Sequence, residues 1–136
     1  MTRTLDDYAI TVHLETTYEE ARSRTEAALK EQGFGIVTEI DMRATMRQKL
    51  DVEFRKYAIL GACNPNLALR ALTSEPQVGL LLPCNVIVYE EEGGTGATVS
   101  VVDPLGMLGD VDVEELKAVA DEAHKRLAKV AETLTA

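Results

Sequence analysis

Hydrophobic and polar residues alternate from Asp6 to Leu14, with Tyr8, Ile10, Val12 and Leu14 on one side, and this period of two predicts a strand. The period then lengthens. Tyr18, Ala21, Thr25, Ala28 and Leu29 share one helical face, behind a capping box at Thr17-Tyr18-Glu19-Glu20 and ahead of a helix-ending Gly33. Phe34 to Ile40 predicts a second strand. Asp41 then caps a short helix from Met42 to Leu50, whose stripe of Met42, Met46 and Leu50 reads as ordinary core rather than a soft-metal surface. A third strand runs from Phe54 to Ala62. Asn64 as N-cap and Pro65 at the first helical position start a helix whose body, Asn66 to Ser74, is apolar enough to be buried; Pro76 ends it.

From Val78 to Tyr89 the chain is apolar almost throughout, broken only by Pro83, which predicts a bent strand or strand pair covered on both faces. Glu90 to Gly96 is glycine-rich, but its three glutamates repel phosphate and no Lys-Ser or Lys-Thr follows; it is a hairpin turn into a strand from Ala97 to Val102. Asp103-Pro104 closes that strand and Leu105 to Asp110 reads as a loop. Asp112, with Glu115 as its partner, then caps a long helix carrying Val113, Leu116, Ala120, Ala123, Leu127, Val130 and Leu134 at 3–4 spacing. Asp121/Lys125 and Glu122/Arg126 are i,i+4 pairs on its wet side. The whole order, strand–helix–four strands–helix with two short inserted helices, is an α+β pattern with a mainly antiparallel sheet, in a single domain over residues 1–136.

Charge narrows the partners. With 23 acidic against 14 basic residues the formal net charge is −9, a poor match to nucleic acid or an anionic membrane. Arg43, Arg47, Lys49, Arg55 and Lys56 form one basic stretch, which reads first as a solvated face and second as an anion contact. No apolar run is long enough to span a bilayer and the N-terminus lacks the apolar segment of a signal peptide. Together with two cysteines and an acidic surface, this points to a reducing cytoplasm.

Those two cysteines, Cys63 and Cys84, are each followed by asparagine and lie 21 residues apart, which fits neither a redox Cys-x-x-Cys nor a complete zinc framework. No spacing ties His13 or His124 to them. Cys63 immediately precedes a helix cap, where backbone amides and the helix dipole favour a thiolate. Cys84 follows Pro83 at the bend of the apolar run. Both bound one strand–helix–strand unit, so they are placed to lie close in space. Set beside this is the ordinary behaviour of free cysteine, which packs as a small hydrophobe.

The segment Tyr57-x-x-Leu60-Gly61-Ala62-Cys63-Asn64-Pro65-x-x-Ala68, followed by Leu80-Leu81-Leu82-Pro83-Cys84-Asn85-Val86-x-Val88-Tyr89 and by Asp103-Pro104, resembles the domain of unknown function 302 family. The resemblance implies a fold similar to the TATA-binding protein and a homodimer. It implies little about activity, and function resides in sites rather than folds. Three functions are consistent with the residues. In the first, a homodimer binds a small ligand or a soft metal ion, with Cys63, Asn64, Cys84, Asn85 and Asp103 at the site; Cys63 and Cys84 suit Cu(I) or Zn(II), with missing ligands supplied across the dimer. In the second, a thiol enzyme uses Cys63 as nucleophile and Cys84 as resolving thiol, without a nearby histidine base. In the third, both cysteines are core residues of a structural or regulatory dimer. No cofactor is specified by the sequence.

Overall fold

The computed structural model describes residues 2–136. Alternating apolar segments form five strands: β1 (Ala9–Leu14), β2 (Gly35–Asp41), β3 (Tyr57–Cys63), β4 (Cys84–Glu90) and β5 (Ala97–Val102). They make one sheet in the order β1-β5-β4-β3-β2, with every neighbouring pair antiparallel. Five helices accompany it: α1 (Tyr18–Glu31), α2 (Met42–Leu50), α3 (Pro65–Ser74), α4 (Pro104–Leu108) and α5 (Glu114–Thr135). The fold is α+β, as the hydrophobic pattern predicts.

Register decides what each face of the sheet carries. Leu60 pairs with Val86, which pairs in turn with Val101; Ala58, Val88 and Val99 form the adjacent row. These six side chains are buried against α1 and the C-terminal half of α5, which supply Ala21, Ala28, Leu29, Leu127, Val130 and Leu134. Each buried leucine or valine contributes about 1.5–3 kcal/mol relative to exposure, so this one layer holds the sheet to its helices. The opposite face carries Tyr57, Ile59, Ile87 and Tyr89, all half-buried, with the two tyrosine rings stacked at 5.2 Å.

A second cluster lies beyond the end of the sheet. There α3 (Leu67, Ala71), Val78 and Leu108 meet the N-terminal half of α5 through Leu116, Val119, Ala120 and Ala123. The long helix therefore serves two layers at once, and the space between them is where a cavity opens.

Five local expectations are corrected. Leu5–Tyr8 is a 3-10 turn, so the first strand starts only at Ala9; Asp103 then donates its backbone N–H to Tyr8 O at 2.7 Å. Pro76–Leu81 is also a 3-10 helix rather than strand, because Glu75 caps it by accepting from Gln77 N at 2.9 Å and Pro76 supplies its fixed φ. Residues after Asp103 form α4 instead of a loop, with Asp103 accepting from Leu105 N at 3.0 Å. At α5 the N-cap is Val113, without a side-chain cap, one residue past the expected Asp112. The methionine stripe of α2 is likewise not core: Met42 and Met46 are half-buried, and Leu50 is 66% exposed. The remaining caps hold, with Thr17 accepting from Glu20 N at 3.1 Å and Asp41 from Ala44 N at 2.9 Å.

Candidate functional site

The end of β3 and the start of α3 are built by consecutive residues. Asn64 follows Cys63, takes an extended backbone and accepts from Leu67 N at 3.3 Å. Its Nδ2 donates to Gln32 O at 3.4 Å, just past the end of α1, where Arg126 Nη1 also donates at 3.2 Å. Gly33 sits beside this knot with φ +83°, and a Cβ there would stand 3.0 Å from the Asn64 amide nitrogen. Asn64 is thus a buried structural joint between α1 and α3, its amide committed at both ends. Asn64→Ala is expected to lower stability by about 1–2 kcal/mol and the melting temperature by roughly 4–8 °C, with Asn64→Asp, which keeps the capping oxygen but loses the donor to Gln32 O, recovering part of both. Thermal unfolding followed by circular dichroism checks this; equal losses in the two variants would contradict the capping role.

Behind that joint lies a cavity of about 320 Å³ between α3, the Gly79–Cys84 segment, α5 and the end of the sheet. Phe34, Leu67, Ala71, Leu82, Leu108 and Ala120 give the character of its wall. Three small residues of the lining, Ala71, Ala120 and Ala123, stand where the helices face one another and leave room between them. No Asp, Glu, Lys, Arg or His lines it; its polar groups are the Thr38 hydroxyl, the Asn64 amide and the two thiols.

Both cysteines reach this cavity, but not as a dithiol. Cys84 pairs with Ala62, whereas Cys63, one residue further along β3, pairs with Gly35 of β2. Successive strand side chains point to opposite faces, so Cys63 and Cys84 are directed to opposite sides of the sheet and are not close together. This corrects the expectation of adjacent thiols. Burial pushes the Cys84 thiol up to about 11, with negative charge at Cys63 adding a smaller push. Among the described residues no group of three or more His, Cys, Asp or Glu is arranged to hold a metal ion.

Of the other expected site residues, Asn85 is exposed beside Gly61 and does not line the cavity. Asp103 does not line it either. Its carboxylate caps α4 and accepts from His124 Nδ1 at 2.9 Å, tying α5 to the end of β5. Nothing in the sequence links Asp103 to His124, since they belong to different elements with no motif spacing. On the other sheet face, His13 Nδ1 lies 3.0 Å from Thr98 Oγ1 and 3.2 Å from Glu91 Oε1. The basic stretch is largely neutralised: Arg47 pairs with Glu53 at 2.9 Å, Arg55 with Glu92 at 3.1 Å and Lys56 with Glu19 at 2.7 Å. It is a solvated face.

The cavity lining that the sequence reading passed over includes Thr38, Leu72, Gly79 and Pro104. Only the one-sided apolar face of α3 foreshadowed it. No curated protein matches the chain. The crystal structure of an uncharacterized conserved DUF302 protein from Bacillus stearothermophilus is similar, with a TM-score of 0.83 and 30% identity over 93% of this chain and 98% of that one. A family model described as "Domain of unknown function DUF302" matches residues 10–134, which takes in both cysteine motifs and all of the five strands and α5 except Ala9 and Thr135, and the chain belongs to that family.

Proposed function

We propose that this protein binds a small, uncharged, apolar molecule in the cavity between α3 and α5. The observation that carries the reading is a hole of about 320 Å³ whose wall holds no charged side chain. That volume lies at the lower end of the range for small-molecule sites, and an apolar wall with a few polar atoms is their usual composition. The site residues are Cys63, Cys84 and Thr38 at the wall; Asn64 shapes it. The soft-metal alternative requires Cys84 to give up its proton where burial disfavours the thiolate, and the thiol-enzyme alternative requires two sulfurs within reach of each other. The apolar-ligand reading needs neither.

The assembly belonging to this reading is a homodimer in the cytoplasm with a fold like that of the TATA-binding protein, as the family resemblance implies. The half-buried Ile59, Ile87, Tyr57 and Tyr89 on the sheet face away from α1 and α5 support a subunit contact, and two free thiols suit a reducing compartment. A solution mass of a single 14.9 kDa chain would refute the dimer.

The binding test uses 1-aminoanthracene, an uncharged dye that brightens in apolar surroundings. One site per chain with a dissociation constant on the order of micromolar is expected. Ala71→Phe, which fills the cavity from α3, is expected to weaken binding at least tenfold while leaving the circular dichroism spectrum unchanged. Equal binding by both proteins, or by neither, refutes the reading.

A further inference from the structure

The cavity wall and the outer surface are continuous at one place. Val37 and Leu72 both line the cavity, yet Val37 is 62% exposed and Leu72 is also largely open to solvent. Between the lining residues Gly79 and Leu82 stand Leu80, 83% exposed, and Leu81, also exposed. Two exposed apolar side chains thus belong to the lining and two more flank it in the chain beside Gly79, whose position would set a Cβ 3.9 Å from Leu72 Cδ2; together they form an apolar track at the mouth. Isolated exposed leucines need no explanation, but exposed apolar side chains gathered at the mouth of an apolar cavity are of the kind that marks a binding groove.

A compact ligand confined to the cavity would leave that track bare in water. A ligand longer than the cavity covers it. From the lining of the cavity and the leucines at its mouth, and resting on the binding reading above, we infer that the ligand is an elongated, uncharged amphiphile, such as a long-chain alcohol. Its hydrocarbon end lies against Leu67, Ala71 and Ala120, its middle passes Val37 and Leu72, and the remainder runs along Leu80 and Leu81. A carboxylate or phosphate within the cavity would be stripped of water with no cation to meet it, at prohibitive cost. The chain's net charge of −9 further disfavours an anionic headgroup outside. The cost of burying a charge turns any amphiphile hydrocarbon end first, so selection against fatty acids falls to the acidic surface at the outer end.

The experiment is displacement of 1-aminoanthracene by 1-hexanol, 1-octanol, 1-decanol and 1-dodecanol, with dodecanoate at pH 8 as the charged counterpart. Affinity is expected to rise about threefold per added methylene through the whole series, since each is removed from water on binding. Dodecanoate is expected to bind severalfold more weakly than 1-dodecanol at low ionic strength, a gap that closes with added salt. The double variant Leu80→Ser/Leu81→Ser is expected to lose about tenfold for 1-dodecanol and less than twofold for 1-hexanol. If the dye and 1-hexanol bind but longer alcohols gain nothing, or dodecanoate matches dodecanol at low ionic strength, the elongated uncharged ligand is refuted while the cavity reading stands. If neither dye nor any alcohol binds, both fall. If the double variant turns a dimer into a monomer without changing alcohol affinity, the leucines belong to a subunit contact and the inference is overturned.

Discussion

Gly61→Ala is expected to remove about 3 kcal/mol of stability, at the upper end of what overpacking one methyl group costs. Gly61 lies in the middle of the sheet, paired with Thr38 on β2 and with Asn85 on β4. A Cβ at Gly61 would overlap the Thr38 hydroxyl oxygen and come within 2.6 Å of Pro83 Cγ. Thr38 is exposed and has room to turn away; Pro83 is a rigid ring whose neighbours Leu82 and Cys84 line the cavity. Conformational freedom plays no part, because the glycine is excluded from change by crowding rather than by its φ. The measurement is urea unfolding of Gly61→Ala, Thr38→Ala and the double variant. Thr38→Ala is expected to restore only a small part of the loss, since the threonine can already turn away and the clash with Pro83 is left in place. Full restoration would show that the proline yields, and no loss at all would show that the close packing above Gly61 is absent in solution.

Alkaline conditions provide the second large effect. Cysteine ordinarily titrates near 8.5–9, and burial raises Cys84 to about 11 in the folded chain. Between those values the unfolded chain has released a proton that the folded chain retains, so stability falls as pH rises through this window and is unaffected by this group below it. The loss at pH 10.5 is about 2 kcal/mol relative to neutral pH, from a shift of roughly two units. Tyr57 and Tyr18 are also raised by burial and contribute losses of the same sign at still higher pH. Comparing wild type with Cys84→Ala isolates the thiol, because the tyrosines are common to both. The stability difference between the two proteins at pH 7 should shift by about 2 kcal/mol in the variant's favour at pH 10.5. A difference independent of pH would mean that the Cys84 thiol is solvated, and the dry character of the cavity wall would have to be abandoned.

The parts of this structure legible in the sequence are those set by local chemistry. The Thr17, Asp41 and Asn64 caps, the hairpin at Glu90–Gly96 and the buried face of α5 each depend on residues within a few positions of one another. The Val78–Leu82 run predicts strand yet folds as a 3-10 helix, because apolar composition does not separate the two; the Glu75 cap and Pro76, both polar or conformational cues, decide it. Met42, Met46 and Leu50 have helical spacing, but spacing does not say whether anything lies opposite them. For the site, the sequence placed Cys63 and Cys84 in one neighbourhood, and they do share a cavity. What it lacked was register. A one-residue offset, Ala62 rather than Cys63 opposite Cys84, sends the sulfurs to different faces. The Asp103–His124 contact has the same cause: it joins two elements whose separation in sequence carries no information about their docking.

Register also shapes the outermost strand. Between Ile36 and Thr38 the pairing of β2 with β3 shifts, so Val37 is an extra residue in the ladder. Since β2 ends the sheet, its free side presents N–H and C=O groups that would otherwise template another strand. The bulge breaks the spacing of that row, and Glu39 and Asp41 place charge beside it. A concentrated solution of this protein is thereby guarded against edge-to-edge growth on the side where its apolar track is exposed, which leaves that track to smaller occupants.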